Sequence, residues 1–458
     1  MIPANAPAEP VPASAAPDPL AEPVSRVSAS WVTAISLANL GLFMAYFGPL
    51  GVLLPNQVQA VAGAHRIVDF SWVSGLGAVV AIVANPLAGA LSDLTVSRFG
   101  RRRTWAFCGA LATASALCLV GSFHSVPAIA AGWCLAQVGV NSMQAGLAAA
   151  VPDRVPVAQR ATVSGWIGIA QTVAVVVAAA LVTLIGGYRG YLLLAAGVVV
   201  LVLPFTFATA DPPLLKANRP DFGWLSFTRS FAWSCWPGRS WTPDFRWAWL
   251  TRFLFVLSNA MTVVYLLYFL RRIGFSAMYS GHSAEQGLVL LLSLYTAAVA
   301  MTTVIAGRRS DHTGRRRRPV IAGGVLMAAA MAMLAAHSTV PVLLTSASAL
   351  GIGFGMYLSI DQALVTQVLP SASHRARSLG VISVASSAAQ AVAPALAAPM
   401  VTYLGGFRTL YLCAAALALL GSASVSRIRS VSLVKPQACQ LSLQRHERTS
   451  SCQVTPTN

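Results

Sequence analysis

Of the thirteen acidic residues in the chain, one, Asp361, lies deep inside an apolar stretch. The others fall in loops, in the terminal arms or at the ends of apolar stretches, Asp69 and Glu285 among the last. A carboxylate in apolar surroundings is suited to taking up a proton on one side of a barrier and releasing it on the other, and Asp361 is the position placed to do so. Neutral amides accompany it: Gln362 and Gln367 in the same stretch, and Asn39, Gln137, Asn141, Gln144, Asn259 and Gln390 in others. An amide both donates and accepts, which is what a hydroxyl-rich solute requires. Tyr265 and Tyr268 offer rings on which such a solute can stack. Each of these residues has a plainer use as well, in interhelical hydrogen bonds or in packing. No Ser/His/Asp arrangement, metal-ligand spacing or phosphate-cradling loop occurs, so the chain reads as a non-enzyme without a metal or other cofactor. Gly351-x-Gly-x-Gly355 has no strand before it and reads as close helix packing.

Long apolar segments must position these residues. The chain is 56% hydrophobic and 10% charged, against about 25% charged in soluble domains, so lipid is its expected solvent. With about 20 apolar residues to a membrane span, twelve spans are expected, at 31–54, 69–92, 104–123, 127–150, 161–185, 189–209, 247–270, 285–306, 319–337, 341–368, 377–403 and 407–426. The chain divides into an arm (1–30), a first six-helix half (31–209), a linker (210–246), a second half (247–426) and a tail (427–458), with the arm and the tail expected to be disordered. The linker carries Trp224, Trp233, Trp236 and Trp241 beside Arg229 and Arg239; it either lies in the lipid headgroups or packs over the helix ends. Arg252, about a turn into the seventh span, is expected to snorkel to the headgroups or to pair with Asp244.

The formal net charge of +18 reads as topology and not as nucleic-acid binding, because the arginines occupy short loops between apolar runs. With both termini inside, 25 of the 31 Lys/Arg are cytoplasmic and five are outside, and Arg252 lies within a span. That bias places the termini and the linker in the cytoplasm of a multi-pass protein of the cell membrane. The seven cysteines show no paired spacing.

The densest loop runs Gly89-Ala-Leu-Ser-Asp93, then Arg98, Gly100, Arg101, Arg102 and Arg103. It returns as Gly307-Arg-Arg-Ser-Asp311 followed by Gly314, Arg315 and Arg316, and the spacings 307 − 89 and 311 − 93 are both 218. Ile185-Gly-Gly-Tyr-Arg189 recurs likewise as Leu404-Gly-Gly-Phe-Arg408, and Asn39 matches Asn259, Gln144 matches Gln362 and Gln171 matches Gln390. Two parallel six-span repeats place symmetric polar residues along a central path.

The paired loops resemble the signature of the major facilitator superfamily, and the four residues between Asp93 and Arg98 resemble the longer form seen in glycoside–pentoside–hexuronide and sucrose-type symporters. The resemblance implies twelve helices in two pseudo-symmetric halves. It also implies a conformational latch built from Asp93 and Asp311 with their arginines, Asp93 being held by helix N-terminal amides or by Arg101, Arg102, Arg154 or Arg160. The chain departs from the sugar branch at Leu94 and Thr104, and spans one, two and four have no interior acid. Span four has no arginine and span five no proline, which departs from drug antiporters. The expected function is secondary transport of a small organic solute, a sugar or glycoside, coupled to protons through Asp361. Export of amphipathic compounds and a non-transporting sensor or scaffold are the alternatives. The expected partners are the solute, protons and membrane lipid, with no nucleic acid, and the expected state is a monomer.

Overall fold

The computed structural model describes residues 25–209, 211, 242–279, 281–313, 317–368 and 375–428; at 64, 157–158, 161, 307–308, 310–313, 360–368 and 375–383 the description stops at the backbone. The arm before Ser25, the tryptophan-rich part of the linker and the tail after Ile428 therefore lie outside the described residues. So do the side chains of Asp361, Gln362 and Gln367.

All the regular structure described is helical. The first span is α1 (Ala29–Gly48), a π-turn (Pro49–Leu53) and α2 (Leu54–Ala62). Then follow α3 (Arg66–Leu94), α4 (Arg101–Ser122), α5 (Val126–Arg154), α6 (Val157–Ile185) and α7 (Gly187–Ala208). The second half begins with α8 (Pro243–Val264), α9 (Leu266–Arg272) and a short α10 (Phe275–Met278). It continues as α11 (Ala284–Thr313), α12 (Arg317–Ala336), α13 (Val340–Val368), α14 (Arg375–Thr402) and α15 (Phe407–Ser426).

Among the described residues, 11 helical spans are long and apolar enough to cross a membrane. The expected fourth span, α5, is a helix of 29 residues but falls outside that set. Gln137, Asn141, Ser142 and Gln144 dilute its apolar character, and Gln137 and Asn141 are buried within the bundle, where a membrane protein shelters polar groups. The helix is long enough to span and only its composition is unusual.

Helix starts follow side-chain chemistry. Ser28 Oγ accepts the Trp31 amide to cap α1. Thr242 Oγ1 does the same for the Phe245 amide at α8, with Pro243 in the first turn, where its missing N–H costs nothing. The repeated Gly-Gly turn has positive φ at both glycines in each half: Gly186 and Gly187 have φ of 62° and 50°, Gly405 and Gly406 of 101° and 78°. Only glycine adopts such angles without strain, which is why the dipeptide recurs.

The first span departs from its expected limits. It runs eight residues past 54, to Ala62. Pro55 has no N–H to return to the preceding turn, and the chain widens there, with the Leu54 amide reaching back to the Pro49 carbonyl. The extension brings Asn56 and Gln59 to the end of the bundle. The seventh span is also interrupted, because Tyr265 leaves helical geometry (φ −95°, ψ 3°) between α8 and α9. Discontinuous helices of this kind line binding sites in transporters.

Close crossings hold each half together. A Cβ at Gly353 would lie 2.5 Å from the Gly323 carbonyl oxygen of α12, and Cβ atoms at Gly351 and Gly355 would lie 2.4 and 2.8 Å from carbonyl oxygens of α11. The glycine triplet is thus a packing device that lets three helices approach. Between the halves, α3 packs on α14 and α6 on α11.

Candidate functional site

At the arginine-bearing end of the first half, Arg102 is 5% exposed and donates through every guanidinium nitrogen. Its Nε gives to Asp153 Oδ2 at 2.7 Å, one Nη to Ser92 Oγ at 2.8 Å and the other to Asp93 Oδ1 at 2.6 Å. Arg101 adds a second bond to Asp153 Oδ2 at 2.9 Å. Asp211 Oδ2 accepts the amides of Arg102 (2.7 Å) and Arg103 (3.1 Å), an anion at the free N–H groups that open α4. Gly100 has φ 91°, and a Cβ there would lie 2.3 Å from Asp211 Oδ2, so this position requires glycine. Arg103 Nε reaches the Thr206 carbonyl of α7. The loop is therefore fixed to the ends of α3, α5 and α7 by ion pairs and charge-assisted hydrogen bonds.

The opposite end is closed between the halves. Arg271 of α9 donates to Gln59 Oε1 at 2.6 Å and to Asn56 Oδ1, both in α2, and pairs with Glu285 at the start of α11. Tyr268 donates its hydroxyl proton to the Pro55 carbonyl at 3.4 Å. The Tyr265 hydroxyl meets Ser71 Oγ of α3 and donates to the Pro394 carbonyl of α14 at 3.3 Å. Phe70 packs against both tyrosine rings, at 6.0 and 5.5 Å between centroids. Tyr265 and Tyr268 are 0% and 3% exposed.

Midway along the first span, Tyr46 donates to Gln390 Oε1 of α14 at 3.1 Å, and Gln390 is exposed. Gln390 lies one turn from Ser386, which accepts from Arg252 Nε at 2.7 Å, and one turn from Pro394 in the closed end. One face of α14 thus runs from Arg252 through Tyr46 to Tyr265. The hydrogen bonds between described residues of the two halves occupy the middle and the end away from the arginine loops.

The sequence profile of the Major Facilitator Superfamily matches residues 33–291 and 281–438, most of the chain. The chain belongs to the major facilitator superfamily. It is a multi-pass membrane transporter of a small solute and not an enzyme. Its fold is similar to a crystal structure of the human organic anion transporter MFSD10 (TETRAN), with a TM-score of 0.65 and 17% identity over 86% of this chain and 99% of that one. It is similar as well to a crystal structure of the nucleoside transporter NupG, with a TM-score of 0.66 and 15% identity over 87% and 98%. No curated protein matches the sequence.

Within this facilitator fold the expected site residues separate into groups. Asp93, Arg101 and Arg102 come together, but the α4 amides expected to hold Asp93 are held by Asp211. Arg160 bonds the carbonyls of Val155 and Pro152, and the buried Nε of Arg154 has no hydrogen-bond partner among the described residues. Arg98 is exposed and stacks on Phe99, with its guanidinium carbon 4.8 Å from the ring centroid. A Cβ at Gly89 would meet nothing within 4 Å. In the second loop, Gly314, Arg315 and Arg316 lie outside the described residues and Gly307 and Asp311 are described by backbone alone.

Among the amides, Asn141 bridges Asn85 Nδ2 (3.3 Å) and the Gln137 carbonyl (2.8 Å). Asn39 donates to its own helix at the Ile35 carbonyl (2.8 Å), whereas Asn259 accepts from Tyr295 (3.0 Å). The repeat-matched asparagines are therefore used differently. Gln144 is half-buried. Tyr46, Asn56, Gln59, Asn85, Asp153, Asp211 and Arg271 were not expected as site residues. A hint for Arg271 lay in its pairing distance from Glu285, fourteen residues on across a short loop.

Proposed function

We propose that the protein carries a small polar, uncharged organic solute, a sugar or glycoside, across the cell membrane by alternating access. The observation that carries this reading is the Tyr46–Gln390 hydrogen bond, one hydroxyl and one amide meeting midway between the halves. A neutral donor and acceptor pair of this kind suits hydroxyl groups better than a formal charge. Arg271 and its partners form the seal at one end, and the Arg102 network braces the other. A fold shared with a nucleoside transporter and an organic anion transporter supports transport without choosing the solute. Counterflow into proteoliposomes over a panel of sugars and glycosides tests the reading. Exchange of at least one sugar is expected, and Gln390→Ala should raise its half-saturation concentration about tenfold, the equivalent of one lost hydrogen bond of about 1.4 kcal/mol. Absence of exchange for every sugar, or an unchanged constant in the variant, would reject it. The ring cluster of Phe43, Phe47, Tyr46 and Trp133 favours a second reading, export of amphipathic aromatic compounds. Aromatic cations in the same panel separate the two, and exchange of nothing at all would leave a sensor or scaffold.

The arginine loops and both termini face the cytoplasm in this proposal, as the Lys/Arg bias requires. In a cysteine-free background, Ser97→Cys should resist an impermeant maleimide added to intact cells and react after permeabilisation. Rapid reaction in intact cells would reverse the orientation.

Proton coupling is assigned to Asp361. Asp361→Asn should retain solute exchange, which moves only loaded carriers, and lose accumulation driven by an imposed pH gradient. Accumulation that survives in the variant would remove Asp361 from coupling and turn attention to Glu285 and Asp69.

A further inference from the structure

A second site lies apart from the path between the halves. At the arginine-bearing end, a cavity of about 290 Å³ opens between the start of α1, the end of α5 and the end of α7, and Arg26, Ser28, Ser30, Asp153, Arg154 and Thr209 are among its walls. We propose that this cavity binds a phosphate group, presented by an acidic phospholipid headgroup or by a free phosphate.

Three observations converge on an anion. Arg26 and Arg154 both line the cavity, and the buried Nε of Arg154 has no acceptor among the described residues. Arg154 is half-buried on the cavity wall, and an anion in the cavity would balance its charge. The neighbouring charges do not cancel. Asp153 on the cavity wall is already engaged by Arg101 and Arg102, and Arg102 also holds Asp93. Among the described residues those four arginines face two carboxylates, and Arg160 on the Pro152 carbonyl adds to the positive excess, part of which a phosphate would offset. Arg103 and Asp211, at the adjacent start of α4, add one charge of each sign. The 20-residue helix α1 begins at the cavity with Ser28 and Ser30 on its wall, so its first free amides favour an anion there.

Phosphate chemistry fits better than a single carboxylate because several oxygens can meet two guanidinium groups and one hydroxyl of the hydrogen-bonded Ser28–Ser30 pair at once. The position suits a lipid headgroup, since basic pockets between helices at a membrane surface take such groups. A bound phosphate would tie the start of α1 to the end of α5, beside the residue that anchors Arg102.

Two titrations of the full-length protein test the site, and they distinguish the sources. Native mass spectrometry with phosphatidylglycerol against phosphatidylcholine reads headgroup binding. Thermal unfolding in millimolar inorganic phosphate reads the free ion. Wild-type protein should bind phosphatidylglycerol in preference to phosphatidylcholine, or unfold at higher temperature in phosphate, or both. A response to the lipid alone would identify the headgroup as the source, and a response to phosphate alone the free ion. The double variant Arg26→Gln, Arg154→Gln should weaken whichever response occurs about tenfold or more, the scale of a lost charge-assisted contact. Arg427→Gln, an exposed charge at the end of α15 and away from the cavity, should leave it intact. Should Arg154→Gln fail to fold, Arg26→Gln alone decides, since Arg26 precedes the first helix and should still weaken binding about threefold. Absence of both responses in the wild type, unchanged binding in the cavity variants, or an equal loss in Arg427→Gln would overturn the proposal.

Discussion

Arg271→Gln is expected to open the end of the bundle that lies away from the arginine loops. The guanidinium joins α9 to Asn56 and Gln59 of α2 and is itself held by Glu285. Hydrogen bonds to charged groups contribute about 1.5–3 kcal/mol each. The Arg271 and Glu285 side chains are 19% and 23% exposed, so both are partly wet. A reduced total of about 3 kcal/mol for the two bonds across the halves corresponds to a population shift on the order of a hundredfold. Ser71, which meets Tyr265 in the same seal, reports the shift when it is replaced by cysteine in an otherwise cysteine-free protein. The maleimide reaction of Ser71→Cys should accelerate about a hundredfold when Arg271→Gln is added, and net transport should fall because one access state can no longer close. An unchanged labelling rate would show that the seal does not depend on Arg271.

Asp153→Asn should cost more stability than Asp93→Asn, although Asp93 is the aspartate of the signature loop. Asp153 accepts from both Arg101 and Arg102, and the three side chains are 23%, 9% and 6% exposed. Removing one partner of such a buried pair leaves charge uncompensated, and a loss of about 3 kcal/mol is expected. Asp93 has a side chain 52% exposed, so solvent screens its bond to Arg102 and the expected loss is under about 1 kcal/mol. Thermal unfolding in one detergent ranks the two variants directly. In transport, Asp93→Asn should slow turnover while solute affinity stays within about threefold, or about 0.65 kcal/mol. Equal destabilisation by the two substitutions would show that the network does not centre on Asp153.

Much of the fold is present in the chain as pattern. Apolar length locates the spans because lipid demands about 20 such residues regardless of neighbours. The paired basic loops, the repeated Gly-Gly turn and the matched amides are local strings, and the turn has positive φ at both glycines in each half, which glycine adopts without strain. Tyr265 and Tyr268 stand out by spacing, and Asp93 and Arg102 pair nine residues apart across one loop.

What the pattern leaves open is the choice among chemically equivalent partners. Asp211 and not Asp93 takes the α4 amides, although 109 residues separate it from Arg102. Arg102 and not Arg154 takes Asp93, and the end of α5 turns the Asp153 carboxylate toward the start of α4, where Arg101 and Arg102 both reach it. Asn39 spends its donor on its own helix, whereas its repeat mate Asn259 meets a tyrosine from another. Arg271 reaches residues 212 and 215 positions away only because a widened turn carries α2 past the end expected for the first span. The sequence by itself determined where the apolar helices and the repeated strings lie, since these depend on burial in lipid and on local backbone geometry. Which hydroxyl, amide or carboxylate each cation finds was decided by the tertiary structure. A hydrogen bond needs its atoms within about 3 Å, and that distance is set by how the packed helices meet and not by the order of residues along any one of them.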